Sequence, residues 1–243
     1  MTSGAPIRAM AGKSWCDNLL LDLDGTLVDS LPGIEFSARQ AMEACGITPG
    51  AHEFRSLIGP PIREILRVAS GCADPSDLDR LEVAFRTAYD GGGWRKTVLY
   101  PEVVETLQEI HRWEVHLFVV TNKPRVPAQK ILAHLGIEPF IDALYTPDRR
   151  QPAFRTKGEI VCQLQLDSRL DRNHTLYVGD SMDDAHAAAA AGCKFAGVRF
   201  GYGDACAQRK HPVHFTLGTF RDIIPVLFKV SSPVMPDPDL PGL

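Results

Sequence analysis

Apolar residues along the chain form short unbroken runs, separated by longer stretches in which they recur every three or four positions. Residues 18–23 (NLLLDL), 115–121 (VHLFVVT), 176–179 (LYVG) and 194–200 (KFAGVRF) are runs of the first kind. Such segments fit strands buried on both faces of a parallel sheet. Residues 213–217 have the length of a short edge strand. The second spacing predicts helices. Val103, Val104, Leu107 and Ile110 share one face, as do Ala128, Ile131, Leu132 and Leu135, and Ile160, Val161 and Leu164. Strands alternating with helices predict an α/β core, a doubly wound, Rossmann-like parallel sheet.

One stretch breaks this rhythm. Roughly 100 residues separate the first two strands, where a βαβ unit needs roughly 30. The surplus carries helical spacing throughout: Ile34, Ala38, Ala41, Met42 and Cys45, then Ile62, Ile65, Leu66 and Ala69, then Leu78, Leu81, Phe85 and Tyr89. A helical cap inserted over residues 32–93 is expected, so that the core comprises 17–31 and 94–230. The insertion leaves and returns through Leu31-Pro32-Gly33 and Gly91-Gly92-Gly93. The glycine triplet offers no side chain to pack and reads as a hinge or as a plain surface loop. Residues 1–16 read as a flexible arm, and 231–243, with four prolines, as a disordered tail.

Composition narrows the function classes. The 243 residues are 44% hydrophobic, which is globular. Net charge is −4, which removes the footprint of a general nucleic-acid binder. No apolar run approaches the roughly 18 residues of a membrane span, and the first residues lack the apolar segment of a secretory signal. The six cysteines form no C-x-x-C pair and have no zinc-ligand spacing; they are expected to be reduced and mostly buried, in a cytoplasmic protein. His211 and His214 stand apart from any ligand cluster. Nucleic acid and membrane are not expected partners, and a monomer or homodimer is expected.

Four segments carry chemistry. Residues 20–26 (LLDLDGT) end an apolar strand in two carboxylates. Positions i and i+2 of a strand face one side, so Asp22 and Asp24 would share the crevice at the carboxyl edge of the sheet. Two carboxylates about 4 Å apart repel by about 4 kcal/mol at an effective dielectric of about 20, so the site needs positive charge. A D-G surface turn is the bland alternative, but it leaves Asp22 inside the apolar run unexplained. Residues 178–184 (VGDSMDD) again follow a strand, with a helix expected over 185–191. There Asp180 and Asp184 share a face and Asp183 points elsewhere; acids favouring a helix dipole are the alternative. Thr121 and Asn122, at a strand end before a helix, suit phosphate oxygens. Lys157 opens the helix that leads to the second acidic segment.

In this order the four segments resemble the haloacid dehalogenase-like hydrolase superfamily, over residues 17–228. The insertion resembles the four-helix cap of its phosphoglycolate phosphatase-like and β-phosphoglucomutase-like branch. The resemblance implies a nucleophilic Asp22 that forms an aspartyl-phosphate. It implies Asp24 as general acid and then base, Thr121 and Asn122 as phosphate ligands, and Lys157 as the charge-compensating cation. Mg²⁺ would be held by Asp22, the Asp24 carbonyl and Asp180, with Asp184 ligating or supporting. One departure is Gly158, where the branch commonly has proline after the lysine; with the basic run before it, Arg155 competes for the role of Lys157.

The function expected is Mg²⁺-dependent hydrolysis of a small phosphate monoester, phosphoglycolate by branch resemblance, with a small phosphorylated metabolite as partner. Arg63 and Arg39 in the cap are candidate substrate contacts, set against solvated helix residues. A sugar phosphomutase on the same core and a catalytically inactive binding module are the alternatives. Dehalogenation is disfavoured because halide leaves without a proton and has no use for Asp24. Phosphonate cleavage through a cap Schiff base is disfavoured because residues 33–92 contain no lysine. A receiver domain would carry its acceptor aspartate on a later strand. A nucleophile elbow needs glycine where Asp183 stands, and Gly201-Tyr202-Gly203 lacks the rest of a dinucleotide fingerprint.

Overall fold

A computed structural model describes residues 14–48, 50, 53–203 and 213–228. In chain order the elements are β1 (Asn18–Leu21), β2 (Val28–Asp29), α1 (Leu31–Cys45), α2 (Ile62–Ser70), α3 (Pro75–Gly91) and β3 (Val98–Leu99). There follow α4 (Val103–His111), β4 (His116–Val120), α5 (Arg125–His134), β5 (Ala143–Tyr145) and α6 (Lys157–Ser168). The chain continues through β6 (Thr175–Gly179), α7 (Met182–Ala191), β7 (Lys194–Val198), β8 (Phe215–Leu217) and α8 (Ile223–Phe228).

Six strands form a parallel sheet in the order β5-β4-β1-β6-β7-β8. The chain winds outward from β1 in one direction and then, from β6, in the other. This is the doubly wound topology, and its switch point lies between β1 and β6, where such sheets bind ligands beyond their carboxyl edge. Leu19 and Leu21 pack on one face and Leu20 on the opposite one, all fully buried. Burial on both faces is the reason the run carries no polar alternation.

The first strand ends at Leu21, short of residue 23. The Asp22 N–H still donates to the Val178 carbonyl at 2.9 Å, but the N–H groups of Leu27 and Val28 both turn back to the Leu23 carbonyl, each at 3.0 Å. Gly25 turns the chain with φ +88°, and a Cβ there would overlap the Asp180 carboxylate, so glycine is required. Helix α7 starts at Met182, before the expected residue 185, because Ser181 and Asp184 form a reciprocal capping box.

The helices α1 to α3 leave the core after β2 and return before β3, and these two strands pair antiparallel at the root of the insertion. Its described residues form three α-helices and a short 3₁₀ turn, Phe54–Leu57, rather than four α-helices. Gly93, the last of the triplet, departs from the expectation that these glycines have no packing value, whereas Gly91 has open space around it. A Cβ at Gly93 would overlap the Ser37 hydroxyl, and one at Gly33 would overlap the Gly93 carbonyl. The two crossings of the chain therefore touch backbone to backbone.

The expected arm is fixed at its end. The Trp15 N–H donates to the Leu227 carbonyl at 3.1 Å, its indole N–H to the Val226 carbonyl at 2.7 Å, and Cys16 is fully buried. Residues 1–13, Cys206, His211 and the Pro-rich tail lie outside the described residues. Of the described cysteines, Cys16 and Cys193 are buried and Cys45, Cys72 and Cys162 half-buried, all without disulfides. No helix among the described residues is long and apolar enough to cross a membrane.

Candidate active site

The acidic segments meet at the switch point. Asp22 leaves β1 and Asp180 leaves the neighbouring β6, both nearly inaccessible. One carboxylate oxygen each from Asp22, Asp180 and Asp184 lie within 4.8 Å of one another. Lys157, the first residue of α6, runs into this cluster and donates to Asp22 Oδ1 at 2.8 Å and to Asp184 Oδ1 at 2.7 Å. Arg155 sits exposed on the approach to α6, with its backbone N–H on Glu159 at 3.1 Å, so Lys157 is the cation that reaches Asp22.

Each acid has a distinct set of partners. Asp184 also accepts from the Tyr177 hydroxyl at 3.0 Å and from Ser181, so both of its oxygens are held by protein. Asp180 Oδ2 accepts the N–H groups of Tyr202 and Gly203 at 2.6 and 3.0 Å. A Cβ at Gly203 would overlap the Asp180 backbone carbonyl, so the loop wraps directly onto that strand end. Asp24 does not share the environment of Asp22: both of its oxygens accept from Lys123 Nζ, at 2.9 and 3.0 Å. Sequence reasoning singled out the segment around Lys123 but not the lysine itself.

Three buried carboxylates around one ammonium leave an excess of negative charge. Burial, then the charge of Asp184, push the Asp180 carboxyl up to about 6. Burial, followed by Asp184, raises Asp22 well above the usual carboxylate range, although Lys157 opposes the shift. Lys157 is raised as well: burial alone would lower it, but Asp184 and Asp22 outweigh burial and hold it charged. An oxygen-only donor set that still lacks positive charge fits a hard divalent cation such as Mg²⁺.

Thr121 and Asn122 directly follow β4 beside the same crevice. The Thr121 hydroxyl oxygen accepts the Lys123 N–H at 3.1 Å, and the Asn122 amide donates to Asp183 Oδ2 at 2.8 Å. Asp183 stays out of the acidic cluster, as expected, and instead orients Asn122.

A cavity of 290 Å³ joins core and cap. Its floor is Asp22, Asp24, Thr121, Asn122, Lys157 and Asp180, and α1 to α3 supply much of its roof. The Tyr202 hydroxyl locks the base of the cap. It donates to Asp29 at 2.7 Å and accepts the N–H groups of Ser30 and Leu31 at 2.6 and 3.0 Å. From the cap, Arg55 donates to the Gly201 carbonyl at 3.0 Å and lies over the Tyr202 ring.

Of the two cap arginines, Arg63 lines the cavity but is bound to Asp79 at 2.6 Å and Glu82 at 3.1 Å. Arg39 does not line it; it pairs with Glu35 at 2.6 Å and covers the Phe54 ring from the solvent side of α1.

Residues 19–198 match the profile of the Haloacid dehalogenase-like hydrolase family. The chain belongs to that family. Among curated relatives, the phosphoglycolate phosphatase of Rhodobacter capsulatus is 31% identical over 191 residues, covering 76% of this chain and 84% of the relative. The tyrosine-protein kinase PtkA of Mycobacterium tuberculosis is 33% identical over 192 residues, which cover 77% of this chain and 63% of the relative. Among solved structures, a predicted phosphoglycolate phosphatase from Haemophilus somnus superposes with a TM-score of 0.79 at 26% identity, covering 88% of this chain and 99% of the other. The family match spans β1 through β7 and so includes all six floor residues of the cavity.

Proposed function

We propose that this family member is a phosphatase that hydrolyses small phosphate monoesters through a phosphorylated Asp22. The observation that carries this reading is the pairing of two carboxylates with two different lysines at one switch point: Asp22 with Lys157 and Asp24 with Lys123. One acid is thereby set up as a nucleophile and the other as a proton carrier. The relatives named phosphoglycolate phosphatases support it.

The chain's own groups account for each step. Lys157 neutralises Asp22 and holds its carboxylate in place while Thr121 and Asn122 bind the non-bridging phosphoryl oxygens. An Asp22 oxygen attacks phosphorus, the bond from phosphorus to the alcohol oxygen breaks, and Asp24 donates the proton that the leaving alkoxide needs. Before it donates, Asp24 takes up a proton from water on one oxygen while Lys123 keeps the other. Asp24 then takes a proton from water, whose oxygen attacks the acyl phosphate, frees inorganic phosphate and restores Asp22. Asp22 and Asp180 would hold Mg²⁺, with Asp184 anchoring Lys157 beside them. When bound, the cation supplies the positive charge that the acidic cluster and the phosphoryl oxygens lack.

Phosphate release from a panel of esters tests this, with and without Mg²⁺. Wild type is expected to release phosphate only with the metal, and Asp22→Asn to release none. Equal release by wild type and Asp22→Asn would contradict the reading.

A further inference from the structure

The floor of the cavity reads the phosphoryl group, so the choice of alcohol falls to the walls. Ile34, Ile58, Ile62, Ile65 and Phe85 contribute apolar surface from the cap. Among the described residues, four cations line the cavity: Arg63, Arg86, Lys123 and Lys157. All four are already ion-paired. Arg63 and Arg86 share Glu82, at 3.1 and 2.7 Å, and Arg63 also holds Asp79. Lys123 is held by Asp24, and Lys157 by Asp22 and Asp184. Glu82 and Asp90 add negative charge to the lining. A carboxylate on the alcohol half of a substrate would meet no unpaired cation among the described residues of this lining, and burying an unpaired charge is costly.

We propose that the alcohol half of the substrate is uncharged and largely apolar, an alkyl or aryl alcohol rather than a hydroxy acid. Glu82 is then the specificity device, because it neutralises the two cap arginines that would otherwise attract an anionic group. The inference rests on the phosphatase reading and names the substrate class of that same site. A 290 Å³ space lies at the lower end of the roughly 300–1,000 Å³ typical of small-molecule sites, which suits a small ester.

The test compares kcat/KM for 2-phenylethyl phosphate and phosphoglycolate, both of which release an alkoxide, in wild type and in Glu82→Gln. Wild type is expected to prefer the phenylethyl ester at least about tenfold, the scale at which apolar pockets discriminate. Glu82→Gln is expected to narrow that preference by about tenfold, through a lower KM for phosphoglycolate, with a melting temperature close to wild type. A gain on one substrate is not what a merely damaged cap would give. If wild type is active but handles phosphoglycolate equally or better, the inference falls and the phosphatase reading stands. An unchanged ratio in Glu82→Gln overturns the role given to Glu82. No turnover of either ester or of any panel member overturns the phosphatase reading, and this inference with it.

Discussion

Lys123 and Asp24 lie 99 residues apart in the chain and meet only because β1 and β4 are neighbours in the sheet. Burial alone would lower the lysine, but the charge of Asp24 outweighs burial and keeps it protonated. Its ammonium also lies 5.5 Å from the centre of the Tyr89 ring on the cap helix α3, so it touches both halves of the cavity. Lys123→Ala is expected to lower kcat roughly ten- to hundredfold, a fraction of the roughly 10²–10⁴ supplied by a placed general acid–base. KM should change much less, and Lys123→Arg should recover part of the loss. Steady-state kinetics on any ester that wild type turns over checks this. A changed KM with unchanged kcat would make Lys123 a substrate-binding residue instead. None of this is visible in sequence, where Lys123 is one polar residue after a strand. Lys157 was easier to single out, because it opens the helix that leads to the second acidic segment.

At the scale of elements, the glycine-rich return from the cap is a packing contact and not an empty joint. Gly93→Ala is expected to destabilise by about 1–3 kcal/mol, the usual cost of overpacking, because its Cβ meets Ser37 and lies close to backbone oxygens on either side. Gly91→Ala, with open space around its Cβ, should be neutral or slightly stabilising at the end of α3. Denaturant unfolding of the two variants separates them, and equal effects would favour a hinge. The strands β1, β4, β6 and β7 were legible because runs buried on both faces are long and uniformly apolar. The three residues of β5 and the two-residue strands β2 and β3 were not, since so few positions show no period. Ends were misjudged where a tight turn at Leu23 and a capping box at Ser181 override the apolar pattern.

Across the whole molecule, the excess negative charge at the switch point couples metal, pH and stability. Asp180 is raised from 3.8 to about 6, so the metal-free fold keeps its proton where the unfolded chain has lost it. The stability this group contributes is present below the unfolded value and fades as pH rises through about 6. A bound cation restores the balance above that range but must displace the proton below it. Mg²⁺ is therefore expected to raise the melting temperature more at pH 7.5 than at pH 5, and an equal shift at both would contradict this account of the cluster. The doubly wound sheet brings the acids together, the cap closes a cavity over them, and in the proposed reaction this assembly uses Asp22 as a covalent carrier. The most direct test quenches Asp24→Asn in acid during reaction with an aryl phosphate, whose leaving group needs little protonation, and maps the peptides by mass spectrometry. One hydroxylamine-labile phosphoryl group on the peptide that contains Asp22 is predicted. Phosphate release that continues with no phosphoryl group on that peptide would contradict it.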